Sequence, residues 1–239
     1  MSNRPANFST RPLRVIAHRG ASGSAVENSI CAFQLAVELG AHGVELDVHA
    51  LADGGLLVHH DPELPGLGPI AHLTTPEAKT ALLADGTPPP LLPEALEALR
   101  GLEVWVEVKS LAPVWDVALL DALRTGPDPD RYAVHSFDHR IVLRLLRQDP
   151  GLSAGILSAS YPVQPLAVFD DLPPACRTLW QQAGLIDREL VDLARARAID
   201  VIAWTVNSDA EGRRLARLGV AALCGNHPDR LRDVVSRTG

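Results

Sequence analysis

Apolar and polar residues alternate singly through GVELDVH (43–49) and, Trp105 apart, through EVWVEVKS (103–110), while the stretches between such runs repeat apolar positions every three or four residues. The first pattern has the period of a β-strand and the second that of an amphipathic helix. By this reading strands fall near 14–17, 43–49, 56–60, 104–109, 132–136, 154–157, 177–180, 201–206 and 221–224. Helices fall near 29–39, 75–83, 93–99, 114–123, 139–147, 188–198, 210–218 and 228–235. Asn28 and Asp209 stand where N-caps belong, Pro93 at a first helical position, and Gly40 and Gly219 where C-terminal caps belong. Repeated β-then-α units predict parallel strands with helices packed outside. About eight such units predict an α/β fold of the (β/α)8 TIM-barrel type, with residues 1–239 as a single domain. The Pro- and Gly-rich segment 62–90 is the longest break; it is too short for a core of its own and reads as a short insertion after the second strand region.

The alternation assigns faces. Val44, Leu46 and Val48 share one side of their strand, and Glu45, Asp47 and His49 the other. In a barrel the apolar side packs on the helices, so the acidic side looks inward. Two carboxylates there cannot both stay ionised without a counter-charge, and a divalent cation such as Mg²⁺ or Ca²⁺ is the natural compensation for oxygen ligands. The strand 104–109 repeats the parity: Trp105, Glu107 and Lys109 face inward, offering a third carboxylate and a cation suited to phosphate. Singly, either strand reads equally well as half-exposed; two with the same parity favour the inward reading. In VIAHRG, His18 suits general acid–base work and Arg19 can fork onto phosphate oxygens. In GLLVHHDP, successive strand residues point to opposite faces, so parity admits either His59 or His60 to a pocket, but not both.

Charge and composition narrow the partners. A net charge of −7 argues against nucleic acid, whose backbone needs a basic field, yet leaves room for a small phosphorylated substrate held by local cations. Three cysteines, Cys31, Cys176 and Cys224, form no CxxC pair and read as small buried hydrophobes. No GxGxxG follows the first strand and no Walker-A loop occurs. The opening MSNRPANFSTRP lacks the apolar core of a signal peptide, and no membrane-length apolar run follows, so a cytoplasmic protein without a membrane segment is expected.

Together, AHRGASGSAVENSICAF, GVELDVHALADGGLLVHHDP, LLPEALEAL, VEVKS and AWTVN, in this order and spacing, resemble the glycerophosphodiester phosphodiesterase family from about Leu13 to Leu231. The resemblance implies a (β/α)8 barrel with a small insert after the second strand. It also implies hydrolysis of a small-molecule glycerophosphodiester to glycerol 3-phosphate and an alcohol, with one divalent cation, Mg²⁺ or Ca²⁺. Carried over by motif, Glu45, Asp47 and Glu107 become metal ligands and His18 and His60 the acid–base pair. Arg19 and Lys109 become phosphate contacts, Glu27 a carboxylate near the site, and Trp204 an apolar wall for glycerol. On this alignment His59 turns away into packing. The closing LCGNHPDRL departs from the family, with Gly225 and Asn226 where Thr-Asp is usual. His42 is expected at the surface, His49 at the rim, His135 in a structural role and Ser136 on the site wall. Two other readings compete: a lysophospholipase D-like phosphodiesterase, which would need an apolar mouth that the sequence does not announce, and a non-catalytic barrel that binds phosphorylated ligands.

Overall fold

The computed structural model describes residues 12–237, so the ends of the 1–239 domain reading, and most of the opening MSNRPANFSTRP, lie outside the described residues. The chain runs β1 (Arg14–His18), α1 (Ile30–Glu38), β2 (Gly43–Ala50), β3 (Leu56–Val58), β4 (Glu63–Leu64), β5 (Gly68–Pro69), α2 (Thr75–Ala78), α3 (Leu92–Ala98) and β6 (Glu103–Ser110). It continues with α4 (Asp116–Thr125), β7 (Tyr132–Ser136), α5 (His139–Gln148), β8 (Ser153–Ser158), β9 (Cys176–Gln182), α6 (Arg188–Ala196), β10 (Asp200–Trp204), α7 (Asp209–Leu218), β11 (Ala222–Gly225) and α8 (Pro228–Ser236). Strands β1, β2, β6, β7, β8, β9, β10 and β11 pair parallel in that order, and β11 returns to β1. This is a closed (β/α)8 barrel, as the alternating pattern predicts.

The two faces of the strands build two cores. Val44, Leu46, Val48, Val104, Val106 and Val108 belong to the large outer cluster between sheet and helices. Trp105, Trp180, Ile16, Ile202 and Cys224 fill the interior, with Trp105 and Trp180 edge to face at 5.2 Å. The apolar packing ends partway up, and the acidic residues of β2 and β6 occupy the layer above it, toward the C-terminal ends of the strands.

Three local expectations change. The strand read at 56–60 covers only Leu56–Val58, and it runs antiparallel to β2 after a turn at Gly54 (φ +86°), so it is a hairpin return and His59 and His60 lie in the loop beyond it. The helix read at 75–83 stops at Ala78; the chain then turns over Asp85 and Gly86, closed by the Leu83 N–H on the Thr87 carbonyl. The caps shift by one residue: the Ser29 hydroxyl accepts from Ala32 N–H and the Ser208 hydroxyl from Glu211 N–H, in place of Asn28 and Asp209. The insertion packs Leu64, Ile70 and Ala78 onto Leu51 and Leu57, a small annex that anchors the loop carrying His60.

Candidate active site

The loop from β1 to α1 carries HRGASGSAVEN, and its two ends set the site. Arg19 and Asn28 both take left-handed backbone conformations (φ 55°), which non-glycine residues rarely adopt, and the Asn28 N–H closes the loop on the Arg19 carbonyl at 3.0 Å. Gly20 (φ +82°) lies so close to α1 that a Cβ would meet the Ala32 backbone at 2.7 Å. The Arg19 N–H donates to Glu45 Oε2 at 3.1 Å, and the Asn28 side-chain amide donates to Asp47 Oδ2 at 2.8 Å. Asn28 is thus a partner of the acidic layer, a role its sequence reading as a cap missed.

The strands bring Glu45, Asp47 and Glu107 together, with one carboxylate oxygen from each lying within 4.8 Å of the others. Register explains it: Asp47 stands beside Glu107 across the β2–β6 pair, and His18 beside Glu45 across β1–β2. All three carboxylates are buried. Lys109 Nζ lies 3.0 Å from Asp47 Oδ1 and 2.8 Å from Glu107 Oε1, and Arg19 Nε lies 3.1 Å from Asp47 Oδ2. Burial would raise the Asp47 carboxyl, but the Lys109 ammonium and then the Arg19 guanidinium hold it below its usual range. Burial, reinforced by Asp47, pushes Glu107 up to about 7, and burial with Asp47 and Glu107 drives Glu45 well above the carboxylate range. Three carboxylates therefore converge on two cations, and repulsion remains.

Around this floor a cavity of about 250 Å³ is lined by His18, Arg19, His60, Lys109, Phe137 and Trp204, among others. A larger cleft of about 500 Å³, bordered by Leu13, Arg14 and Asp200 at the opposite end of the barrel, holds no such carboxylate cluster among the described residues. His18 Nδ1 donates to Asn226 Oδ1 at 2.8 Å, which leaves Nε2 toward Glu45, 4.0 Å away. Burial, with the Arg19 charge adding to it, lowers His18 to about 4 and keeps it neutral. His60 Nδ1 pairs with Asp61 Oδ1 at 2.8 Å. His59 does not border the cavity; its N–H bonds the Asp47 carbonyl at 3.1 Å. Glu27 grips Arg19 through both oxygens at 2.9 and 3.0 Å, and Trp204 meets Phe137 edge to face at 5.5 Å.

His49, His42 and Ser136 depart from expectation. His49 is buried rather than at the rim, bonded at both ring nitrogens. His42 is half-buried and accepts the Val15 N–H at Nδ1. His135 lies in the cavity floor against Trp180, with neither ring nitrogen hydrogen-bonded, and burial lowers it to about 3. Ser136 instead donates to the Val108 carbonyl, and Phe137 takes the wall position. Gly225 is sterically required, since a Cβ there would run into the Val206 carbonyl, and Asn226 beside it holds His18. The departure from Thr-Asp is therefore a fitted pair.

The model of the glycerophosphoryl diester phosphodiesterase family matches residues 18–230. A glycerophosphodiester phosphodiesterase of Caldanaerobacter subterraneus is 30% identical over 94% of this chain and 98% of its own length. A probable glycerophosphodiester phosphodiesterase 1 of Mycobacterium tuberculosis is 30% identical over 90% of each chain. Among solved structures, a putative glycerophosphoryl diester phosphodiesterase from Silicibacter pomeroyi superposes with a TM-score of 0.84 at 25% identity, covering 95% of this chain and 94% of that one. An Oleispira antarctica phosphodiesterase, solved with the product sn-glycerol-3-phosphate, shares the fold with a TM-score of 0.85 at 24% identity, over 93% and 96% of the two chains.

Proposed function

Because the chain belongs to the glycerophosphoryl diester phosphodiesterase family and is a phosphoric diester hydrolase of that family, we propose that it hydrolyses glycerophosphodiesters to glycerol 3-phosphate and an alcohol with one divalent cation and two histidines. The observation that carries this reading is the convergence of Glu45, Asp47 and Glu107 beneath a cavity walled by His18, His60, Arg19 and Lys109.

The donor set suits a hard cation. All three groups are carboxylates, and Asp47 Oδ1 is buried with no hydrogen bond of good geometry, the Lys109 ammonium approaching it off-line. Glu45, Asp47 and Glu107 would hold Mg²⁺ or Ca²⁺, which when bound supplies positive charge to the phosphoryl oxygens. Arg19 and Lys109 add theirs, offsetting the anionic charge that makes a phosphodiester resist attack. With Nδ1–H committed to Asn226, neutral His18 presents the Nε2 lone pair, which takes the proton of the attacking hydroxyl. That hydroxyl belongs either to the glycerol 2-position, giving a cyclic phosphate that water then opens, or to water itself. His60, its Nδ1 held by Asp61, delivers a proton from Nε2 to the departing alcohol oxygen. Each transfer contributes about 10²–10⁴-fold. Glu27 steadies Arg19, and Trp204 with Phe137 walls the glycerol. A cytoplasmic location belongs to this reading, in keeping with three unpaired cysteines. Among the described residues no helix is long and apolar enough to cross a membrane.

One observation favours the lysophospholipase D-like alternative. Val114, Val117, Phe137, Tyr161 and Val163 are exposed on segments that follow β6, β7 and β8, on the same end of the barrel as the cavity, where the sequence shows no continuous apolar stretch. Incubation with glycerophosphocholine and with lysophosphatidylcholine, reading glycerol 3-phosphate, lysophosphatidate and choline, separates the two. We expect glycerophosphocholine to be the better substrate, and His18→Ala and His60→Ala each to lose about 10²-fold or more. Near-full activity in both variants overturns the histidine assignment.

A further inference from the structure

His60 lies two residues past the end of β3, so no sheet ladder fixes it. Two hydrogen bonds from β2 do. The Asp47 carbonyl takes the His59 N–H at 3.1 Å, and His49 Nε2 lies 3.1 Å from the His60 carbonyl. A carbonyl only accepts, so His49 carries its proton on Nε2, and Nδ1 is left as an acceptor. Ser110 Oγ lies 3.4 Å from that Nδ1 and supplies the hydroxyl hydrogen. The β2–β6 register makes this contact: Val48 pairs with Val108 but His49 pairs with Ser110, so Lys109 is the extra residue of a bulge. One irregularity thus sets Lys109 against Asp47 and Glu107 and brings Ser110 to His49.

We propose that His49 is a positioning residue for His60: the chain Ser110 Oγ–H, His49 imidazole, His60 carbonyl holds the His60 loop at a fixed height above the carboxylate floor. His49 does not border the cavity, so it acts through His60 and touches no substrate. The inference rests on the acid–base role of His60. It accounts for a buried histidine on the acidic strand that neither joins the carboxylate cluster nor packs as a hydrophobe.

The test is a double-mutant cycle on glycerophosphocholine hydrolysis. His49→Phe lowers kcat about 10–100-fold, with KM within about 3-fold, because a misplacement of about 1 Å is worth that much. His49→Gln keeps an N–H donor and a carbonyl acceptor and regains most of the loss. In a His60→Ala background, His49→Phe changes the rate by less than about 2-fold, the non-additivity of residues acting as a unit. Ser110→Ala gives a smaller loss of the same kind and serves if His49→Phe does not fold. An unchanged kcat in His49→Phe, or a full loss in the His60→Ala background, overturns the proposal. Imidazole ¹⁵N spectra give a readout independent of turnover: His49 shows the Nε2–H tautomer, and the His60 signal moves in His49→Phe and returns in His49→Gln. A His49 Nδ1–H tautomer, or an unmoved His60 signal, overturns it even if glycerophosphocholine proves not to be the substrate.

Discussion

Side by side in the chain, His59 and His60 have different surroundings. His60 borders the cavity with Asp61 on Nδ1, while His59 stands outside that wall. His59→Ala should therefore keep activity within about 3-fold while His60→Ala loses about 10²-fold or more, read as glycerol 3-phosphate release. Strand parity could not separate the pair, since neither residue is in a strand; motif spacing did. Asn28 was the harder residue to read. An asparagine ahead of an apolar run looks like a cap, but its tolerance of the left-handed conformation is what the loop uses, and its amide goes to Asp47. Asn28→Ala should destabilise the fold by about 1–3 kcal/mol in urea unfolding, because it strips a buried carboxylate of a hydrogen-bond donor. Asn226 was legible only as a departure from a motif; that it meets His18 depends on a contact across 208 residues of sequence.

The elements were read best where side-chain period alone decides the outcome. In β2 and β6 the period of two sends valines to the helices and acids inward, and the site follows from their register. The bulge that pairs His49 with Ser110 left no trace in the alternation, because one extra residue near a strand end is indistinguishable from the start of the loop. The hairpin return of β3 was hidden for a similar reason: a three-residue apolar run looks the same in either direction. Caps were off by one since adjacent residues, Asn28–Ser29 and Ser208–Asp209, are all good capping types. Ser29→Ala should lower stability by about 1 kcal/mol without altering kcat, as Ser29 touches the helix end and not the cavity. Gly225→Thr, which restores the usual family residue at that place, should destabilise by about 1–3 kcal/mol, because the Val206 carbonyl occupies the space a Cβ needs.

At the scale of the whole molecule, the barrel concentrates buried negative charge at one end and so ties stability to pH and to cations. Glu107 titrates near 7 in the folded protein against an ordinary value of 4.5, so across that window the native state binds more protons than the unfolded chain. The stability this shift contributes is fully present below about 4.5 and is lost as pH rises through about 7. Glu45, shifted in the same direction, extends the loss upward. Below about 6.5 the lowered His18 and His135 act in the opposite sense, so the Glu107 contribution is read as a difference: in chelator, the melting temperature of the wild type relative to Glu107→Gln should fall from pH 5 to pH 8. Added Mg²⁺ or Ca²⁺ should raise the wild-type melting temperature more at pH 8 than at pH 5, since bound cation requires ionised ligands. The closed barrel itself was legible from the repeats of strand and helix; the convergence of residues from β1, β2, the loop after β3, β6, β7, β8, β9 and β10 on one cavity needed the register.

The cation and its carboxylates are tested together by glycerol 3-phosphate release from glycerophosphocholine, measured on the wild-type protein after chelation and on stepwise return of Mg²⁺ or Ca²⁺, alongside Asp47→Asn. A cation held by the three carboxylates requires no turnover in chelator, saturable recovery with the cation, and no recovery in Asp47→Asn. Full turnover in chelator, or an Asp47→Asn variant that recovers like wild type, would contradict it.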